Sequence, residues 1–248
     1  MATRFFIDAS LIDDPSFDNQ NLIEWGGDQA HHAIHVMRLH VGDALELFDG
    51  QGNLYVASIV ELSKRKLRLS IQSSSFEPRR DHQVMIATAL PKGDRQKFLV
   101  EKLVELGVDC LLPLKAERSV ATANANVIER MEKQIIEASK QCGRRYLMQI
   151  QPEVNIESLI KSFDFESNRL LADPYANQSL LDLSQSKQSL LHRQTVMAIG
   201  PEGGFSDSET SQFVTAAWQP VKLSNHILRI ETAAISSAVQ LSGALKGV

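Results

Sequence analysis

The sequence predicts an α/β protein in two parts, a small β-barrel domain over residues 1–73 and a larger α/β domain over 74–248. Three observations predict it. Residues 43–72 alternate apolar and polar side chains with period two. From Val84 onward, short apolar runs alternate with loops and helix-periodic stretches. Between these regions lies "SSSFEPRRDHQ", which is polar, has no period and contains Pro78, so a linker is expected at about 73–83.

Each element follows from its local pattern. "RFFID" reads as a strand, and "DQAHHAIHVMRL" as a short helix with Asp28 as its N-cap. Leu45 and Leu47, then Leu54, Val56 and Ser58, then Leu67, Leu69 and Ile71 give antiparallel strands, with the turn "DGQG" between the first two. "VMIATAL" is a strand followed by a helix over 94–106 that Gly107 ends. "DCLLPL" leads to a helix around 126–142, with Ile128, Met131, Ile135, Ala138 and Cys142 on one stripe and Gly143 as its stop. "RLLAD", "TVMAIG" and "PVKL" are further short strands, each entering a loop or helix. This alternation predicts a mostly parallel sheet with helices on both faces, and ligands bind such sheets at the carboxyl ends of the strands.

Composition narrows the function classes. The chain has 248 residues, 43% hydrophobic and 23% charged, and no apolar run near the roughly 18 residues a membrane helix needs. The start, "MATRFFIDASLIDD", has acidic residues where a secretory signal has an apolar core, so the expected location is the cytoplasm. Cys110 and Cys142 have no metal or redox spacing and are read as two small buried hydrophobes. Net charge is −4, and only residues 81–150 carry more Lys and Arg than Asp and Glu, 11 against 9. A polyanionic partner is therefore expected to meet local cation patches.

Four stretches can carry chemistry. "AIGPEGGFSDSE", 198–209, takes a strand through a glycine-rich turn to a helix that Ser206 and Glu209 start as a capping box. Its glycines let backbone groups approach a ligand, or they serve a tight turn alone. The spacing is neither GxGxxG nor GxxxxGK[ST], which removes the main support for dinucleotide and P-loop readings. "LSNHILRIETAAISSAVQL", 223–241, places apolar Ile227 and Leu228 in a loop, with Arg229 and Glu231 at a helix start. Such a loop packs on core or on a flat ligand, and the charged pair is either an ion pair or functional. The small residues Ala233, Ala234, Ser236, Ser237 and Ala238 permit close helix approach of the kind a dimer interface uses. "ALPKGDRQKFLVEKLVELGV" clusters Lys92, Arg95 and Lys97 at a helix N-terminus, and Arg118, Arg144 and Arg145 add cations from other loops. His31 and His35 have the spacing of a zinc pair, but no third ligand completes it. No metal is expected there, and an RNA-facing or packing role is. No Ser-His-Asp order, GxSxG elbow or CxxC pair is present.

"IGPEGGFSDSE", "LRIETA", "KGDR" with "ELGV", "ERS", "RFF" and "HHAIHVMRL", followed by "GD" and "DGQG", resemble the ribosomal RNA small subunit methyltransferase E family, in order over nearly the whole chain. The resemblance implies a PUA-like amino-terminal RNA-binding barrel, a carboxy-terminal SPOUT domain with a trefoil knot, a homodimer, S-adenosylmethionine as methyl donor, and N3-methyluridine in 16S rRNA of the small ribosomal subunit as product. It places the cofactor at Leu171, Ala172 and Asp173, at Ile199, Gly200, Pro201, Glu202, Gly203 and Gly204, and at Leu223, Ser224, Asn225, Ile227 and Leu228. Arg229 and Glu231 become the catalytic candidates, Arg229 to stabilise charge on the uracil oxygens and Glu231 as base or as orienter of Arg229. The RNA-binding candidates are Arg4, His32, Arg38, Lys92, Arg95, Arg118 and Arg144. The family usually has Gly where Ser224 stands and Arg where His226 stands. Two rival readings are a 2'-O-ribose RNA methyltransferase of the same superfamily and a catalytically silent ribosome-assembly factor that binds RNA.

Overall fold

The computed structural model describes residues 3–12, 22–185 and 193–244. They form two compact units, the first made of residues 1–79 with 139–147 and the second of 80–138 with 148–248.

The first unit is a five-stranded mixed sheet. Its strands are β1 (Thr3–Phe6), β2 (Leu22–Trp25), β3 (Ala44–Phe48), β4 (Asn53–Leu62) and β5 (Leu67–Phe76). They lie in the order β1-β3-β4-β5-β2. The β1–β3 pair is parallel and the other ladders are antiparallel. The period-two pattern does what the sequence implies. Phe5, Leu45, Leu47, Ala57, Ile59, Leu67 and Leu69 turn inward and pack with Trp25, Ala30 and Ala33. The "DGQG" turn is fixed by the buried Asp49, whose Oδ1 accepts from the Gln51 and Asn53 amides at 2.8 and 3.1 Å, while Gly50 and Gly52 take positive φ. Residues 139–147 belong to this sheet's surroundings, since Tyr146 Oη donates to the Glu77 carbonyl and Arg145 Nη1 donates to the Ser75 carbonyl and hydroxyl.

Three local expectations change here. β5 runs to Phe76, so the stretch without a ladder partner is 77–82, shorter than 73–83. Ser73, Ser74 and Ser75 hide the strand from a hydrophobicity pattern, yet β4 pairs with them. The helix after β2 is α1 (Gly27–His31), capped by Gly26, with Asp28 in its first turn, where a carboxylate suits the macrodipole. It continues as a π-helical turn over His32–Val36 and ends at Arg38 with φ 54°. Cys142, read as buried, is exposed, because the α3 stripe runs out at its last residue.

The second unit is a parallel sheet of β6 (Gln83–Thr88), β7 (Cys110–Lys115), β8 (Gln149–Ile150), β9 (Val154–Asn155), β10 (Ser167–Ala172), β11 (Gln194–Ile199) and β12 (Gln219–Val221). Their order is β12-β10-β11-β6-β7-β8, with β9 also beside β7. The helices are α2 (Asp94–Glu105), α3 (Ala125–Cys142), α4 (Ile156–Ser162), α5 (Leu180–Gln185), α6 (Asp207–Thr215) and α7 (Ile230–Ala244). Gly107 and Gly143, at φ 78° and 80°, end α2 and α3 as left-handed caps. One core gathers Ala87, Leu112, Leu171, Val196 and Ala198 of the strands with Phe213 and Trp218, and Phe163 meets Trp218 edge-on at 6.4 Å. The small residues of α7 face inward: Ala233, Ala234, Ser237 and Ala238 are buried as α7 packs on α2 and β6. Close approach is thus used within the protomer.

Candidate functional site

β12, β10 and β11 are neighbours and parallel, so their carboxyl-terminal loops emerge side by side. These loops enclose a cavity of about 480 Å³, within the range of small-ligand sites. Its wall contains Leu171, Ala172 and Asp173 after β10, Ile199, Gly200, Pro201, Glu202, Gly203 and Gly204 after β11, and Leu223, Ser224, Ile227 and Leu228 after β12. Of the cofactor residues expected from sequence, only Asn225 lies outside the wall.

The glycine turn is closed by its own contacts. Gly204, at φ 70°, donates its amide to the Pro201 carbonyl at 2.8 Å. A Cβ on Gly200 would meet Phe205 at 3.1 Å, and one on Gly203 would meet Arg118 Cδ at 3.1 Å. Ser206 and Glu209 form the expected capping box at the start of α6. The buried Glu209 does more than the motif requires: Oε2 accepts from the Ser206 amide at 2.8 Å, while Oε1 accepts from the Glu117 amide at 2.7 Å. Arg118 Nη1 donates to the Gly203 carbonyl at 2.7 Å. The loop after β7 is thereby clamped to the glycine turn from two sides, and Arg118, expected to meet RNA, stands in the cavity wall.

The loop after β10 turns at Asp173, whose Oδ1 accepts from the Tyr175 amide at 2.8 Å and whose own amide donates to Val221. Tyr175 is 84% exposed at the cavity's wall, as is Ile227 at 77%. Ser224 needs no left-handed backbone, since Arg38 and Ala217 are the only non-glycine residues at positive φ among the described residues. Its hydroxyl instead accepts from the His226 amide at 3.2 Å, a turn contact that a glycine cannot make.

The catalytic candidates differ from each other. Arg229 is exposed and lies outside the cavity wall. Glu231, in the first turn of α7, is 6% exposed, and its buried Oε2 has no hydrogen-bond partner. That oxygen lies 4.0 Å from Arg95 Nη1, and Arg95 Nη2 lies 3.7 Å from Glu202 Oε1. The RNA candidates divide between the units, with Arg4, His32, Arg38 and Arg144 in the first and Lys92, Arg95 and Arg118 in the second. Lys92 and Arg38 are exposed, and Arg144 is half-buried. Arg4 donates from Nε and Nη2 to Glu46 Oε2 at 2.9 and 2.7 Å, so it is committed to the β1–β3 pair. His32 sets its ring 6.4 Å from Phe5, and the His31 and His35 rings lie 4.3 Å apart. Among the described residues no three His, Cys, Asp or Glu side chains are placed to hold a metal ion, and no helix is long and apolar enough to cross a membrane.

Sequence reasoning missed Pro174, Tyr175, Phe205, Asp207, Thr210 and Ala233, which also line the cavity, as does His226 within the expected third loop. Position next to a motif was the available signal for each. The second role of Glu209 had none, since Glu117 lies 92 residues away.

Residues 78–242 match an RNA methyltransferase domain, and residues 26–72 match an RNA methyltransferase PUA domain. The chain is 31% identical over 219 residues to ribosomal RNA small subunit methyltransferase E of Synechocystis sp., covering 88% of this chain and 72% of that protein. It is 28% identical over 246 residues to the protein of the same name from Rickettsia conorii, covering 96% and 94%. A methyltransferase from Legionella pneumophila, solved with bound cofactor SAM, superposes with a TM-score of 0.85 at 27% identity, covering 98% of each chain.

Proposed function

The chain belongs to the ribosomal RNA small subunit methyltransferase E family, and on that premise we propose that it methylates N3 of one uridine in 16S rRNA of the small ribosomal subunit. It is an S-adenosylmethionine-dependent RNA methyltransferase. The observation that carries the assignment is the convergence of three loops, from the adjacent strands β12, β10 and β11, on one cavity bordered by glycine backbone.

The cavity fits the donor. Leu171, Ile199, Leu223 and Leu228 offer apolar faces to an adenine, Gly200, Gly203 and Gly204 keep Cβ atoms out of the way, and Asp173 and Glu202 supply acceptors for hydroxyl or ammonium groups. When bound, the donor would be held by these three loops and would supply an electrophilic methyl carbon for N3, with a thioether as the group left behind and the N3 proton given up to water. The chain's own contribution is alignment and charge stabilisation. As N3 loses its proton, charge spreads over the uracil carbonyl oxygens, and the exposed, permanently charged Arg229 is the side chain assigned to one of them. The burial of Glu231 favours an orienting role over that of proton acceptor.

The reading extends to architecture. The first unit acts as a PUA-like barrel that holds RNA through Arg38, His32 and Arg144, with Lys92 adding a cation on the second unit, and the first crossing between the units falls within 73–83. The parallel sheet is read as a SPOUT domain closed by a trefoil knot, and the working form as a cytoplasmic homodimer. Exposed Ile227 and Val239 are apolar groups that a second copy would cover.

The deciding test is methyl transfer from labelled S-adenosylmethionine to unmodified small subunits, with naked 16S rRNA and tRNA alongside, followed by nucleoside mass spectrometry. N3-methyluridine from 16S rRNA is the expected product. Label resistant to alkaline cleavage, as a ribose methyl is, or label only in tRNA would replace this reading.

A further inference from the structure

We propose that Arg95 is a second catalytic cation of the transfer site, set against a carbonyl oxygen of the target uracil, and that Glu231 and Glu202 are the positioning residues that hold it there. The inference rests on the reading of the site as a uracil-N3 methyltransferase.

Glu231 is the starting point. A buried carboxylate oxygen without a hydrogen-bond donor is costly, and each such group in a folded protein calls for a reason. The reason here is the guanidinium of Arg95. Nη1 faces Glu231 at 4.0 Å and Nη2 faces Glu202 at 3.7 Å, the first a buried group and the second a member of the cavity wall. Both distances are those of an ion pair and not of a hydrogen bond. Two carboxylates therefore fix where the cation sits while its donors stay available, and a guanidinium presents five of them.

Glu231 stands in the first turn of α7, between Leu228 and Ala233 of the cavity wall in sequence; neither it nor Arg95 lines the wall, and Glu202 is the wall residue that faces Arg95. Arg118, also in that wall, already donates to Gly203. Arg95 is partly exposed, and it is a cation anchored by a carboxylate of the wall itself. A uracil that gives up its N3 proton has two carbonyl oxygens to stabilise. With Arg229 at one, Arg95 serves the other, as a donor held in place before charge develops. This differs from a phosphate contact, which adds affinity and leaves the rate of transfer alone.

The test is single-turnover methyl transfer to small subunits at saturating RNA, together with RNA affinity as a function of salt, for Arg95→Ala, Arg95→Lys, Glu231→Gln and the Arg95→Ala/Glu231→Gln double variant. Arg95→Ala should lower the rate by about 100-fold, the scale of one lost transition-state donor. Arg95→Lys should recover part of it, because a point charge lacks the planar fork. Glu231→Gln should lower the rate by a smaller factor, and the double variant should be no slower than Arg95→Ala, since the glutamate acts through the arginine. The salt slope of RNA binding should stay at the wild-type value. Unchanged rates with a slope reduced by about one would make Arg95 a phosphate contact and overturn the proposal. Effects that multiply in the double variant would overturn the positioning role of Glu231. Thermal melting identifies a variant that fails to fold, and Arg95→Lys then decides between rate and affinity. The wild-type control reports separately on the parent reading: no uracil methylation by the unaltered protein would remove both.

Discussion

Glu209 shows how much one side chain can hold. One of its oxygens closes a helix cap and the other closes a loop from a different strand. Glu209→Ala should cost about 2–4 kcal/mol in urea denaturation, about 1 for the cap and 1–3 for the Glu117 amide left unpaired. Gly203→Ala acts on the same turn by sterics, since the new Cβ would lie 3.1 Å from Arg118 Cδ and push on the side chain that bonds the Gly203 carbonyl. Calorimetry should then show a Kd for S-adenosylmethionine about tenfold weaker, the loss of one charge-assisted hydrogen bond. Arg229→Ala should instead lower turnover by about 100-fold while the cofactor Kd stays near the wild-type value. Equal loss in both would remove Arg229 from the transition state. At this scale the sequence was legible wherever a motif carries its own geometry, as the glycine turn and capping box do. It offered Arg118 as an RNA contact and missed its hold on the glycine turn, because the partner is a backbone carbonyl 85 residues away.

Among elements, the strands and long helices could be read because their periods of 2 and 3.6 are set by burial. β4, β5, α2 and α3 all fall where alternation or a stripe puts them. What escaped was set by neighbours: the serine end of β5 is a strand because β4 lies beside it, and the inward small face of α7 exists because α2 crosses close. One polar cluster at the amino ends of the parallel strands has a measurable consequence. His82 Nε2 lies 2.9 Å from Thr195 Oγ1, and Thr195 also accepts from Asn168 Nδ2. Burial lowers the His82 pKa, the Asp109 carboxylate opposes this, and Arg80 adds to it. The unfolded chain therefore takes up a proton before the folded one, and stability should decline as pH falls below about 6.5, the unfolded value. Urea midpoints between pH 7.5 and 5.5 should show this decline, and His82→Gln should flatten it. A variant with an unchanged slope would exclude His82 as its source.

At the scale of the molecule, the acidic average conceals where cations are placed. Binding to 16S rRNA should weaken steeply with salt, and Arg38→Ala or Lys92→Ala should each reduce the slope of log K against log salt by about one. Arg4→Ala should leave that slope alone and lower the melting temperature, because Arg4 is spent on Glu46. The partition of the chain was the least legible feature, since composition suggests one crossing between domains. The first unit also takes in residues 139–147, a length of chain that arrives only after two strands and two helices of the second have been made. Its architecture is thus completed only past the middle of the chain, and no single cut excises it whole. Expression of residues 1–79 alone would omit Tyr146, whose hydroxyl holds the Glu77 carbonyl, so a graft of the amino-terminal portion by itself onto another enzyme would leave that tie behind.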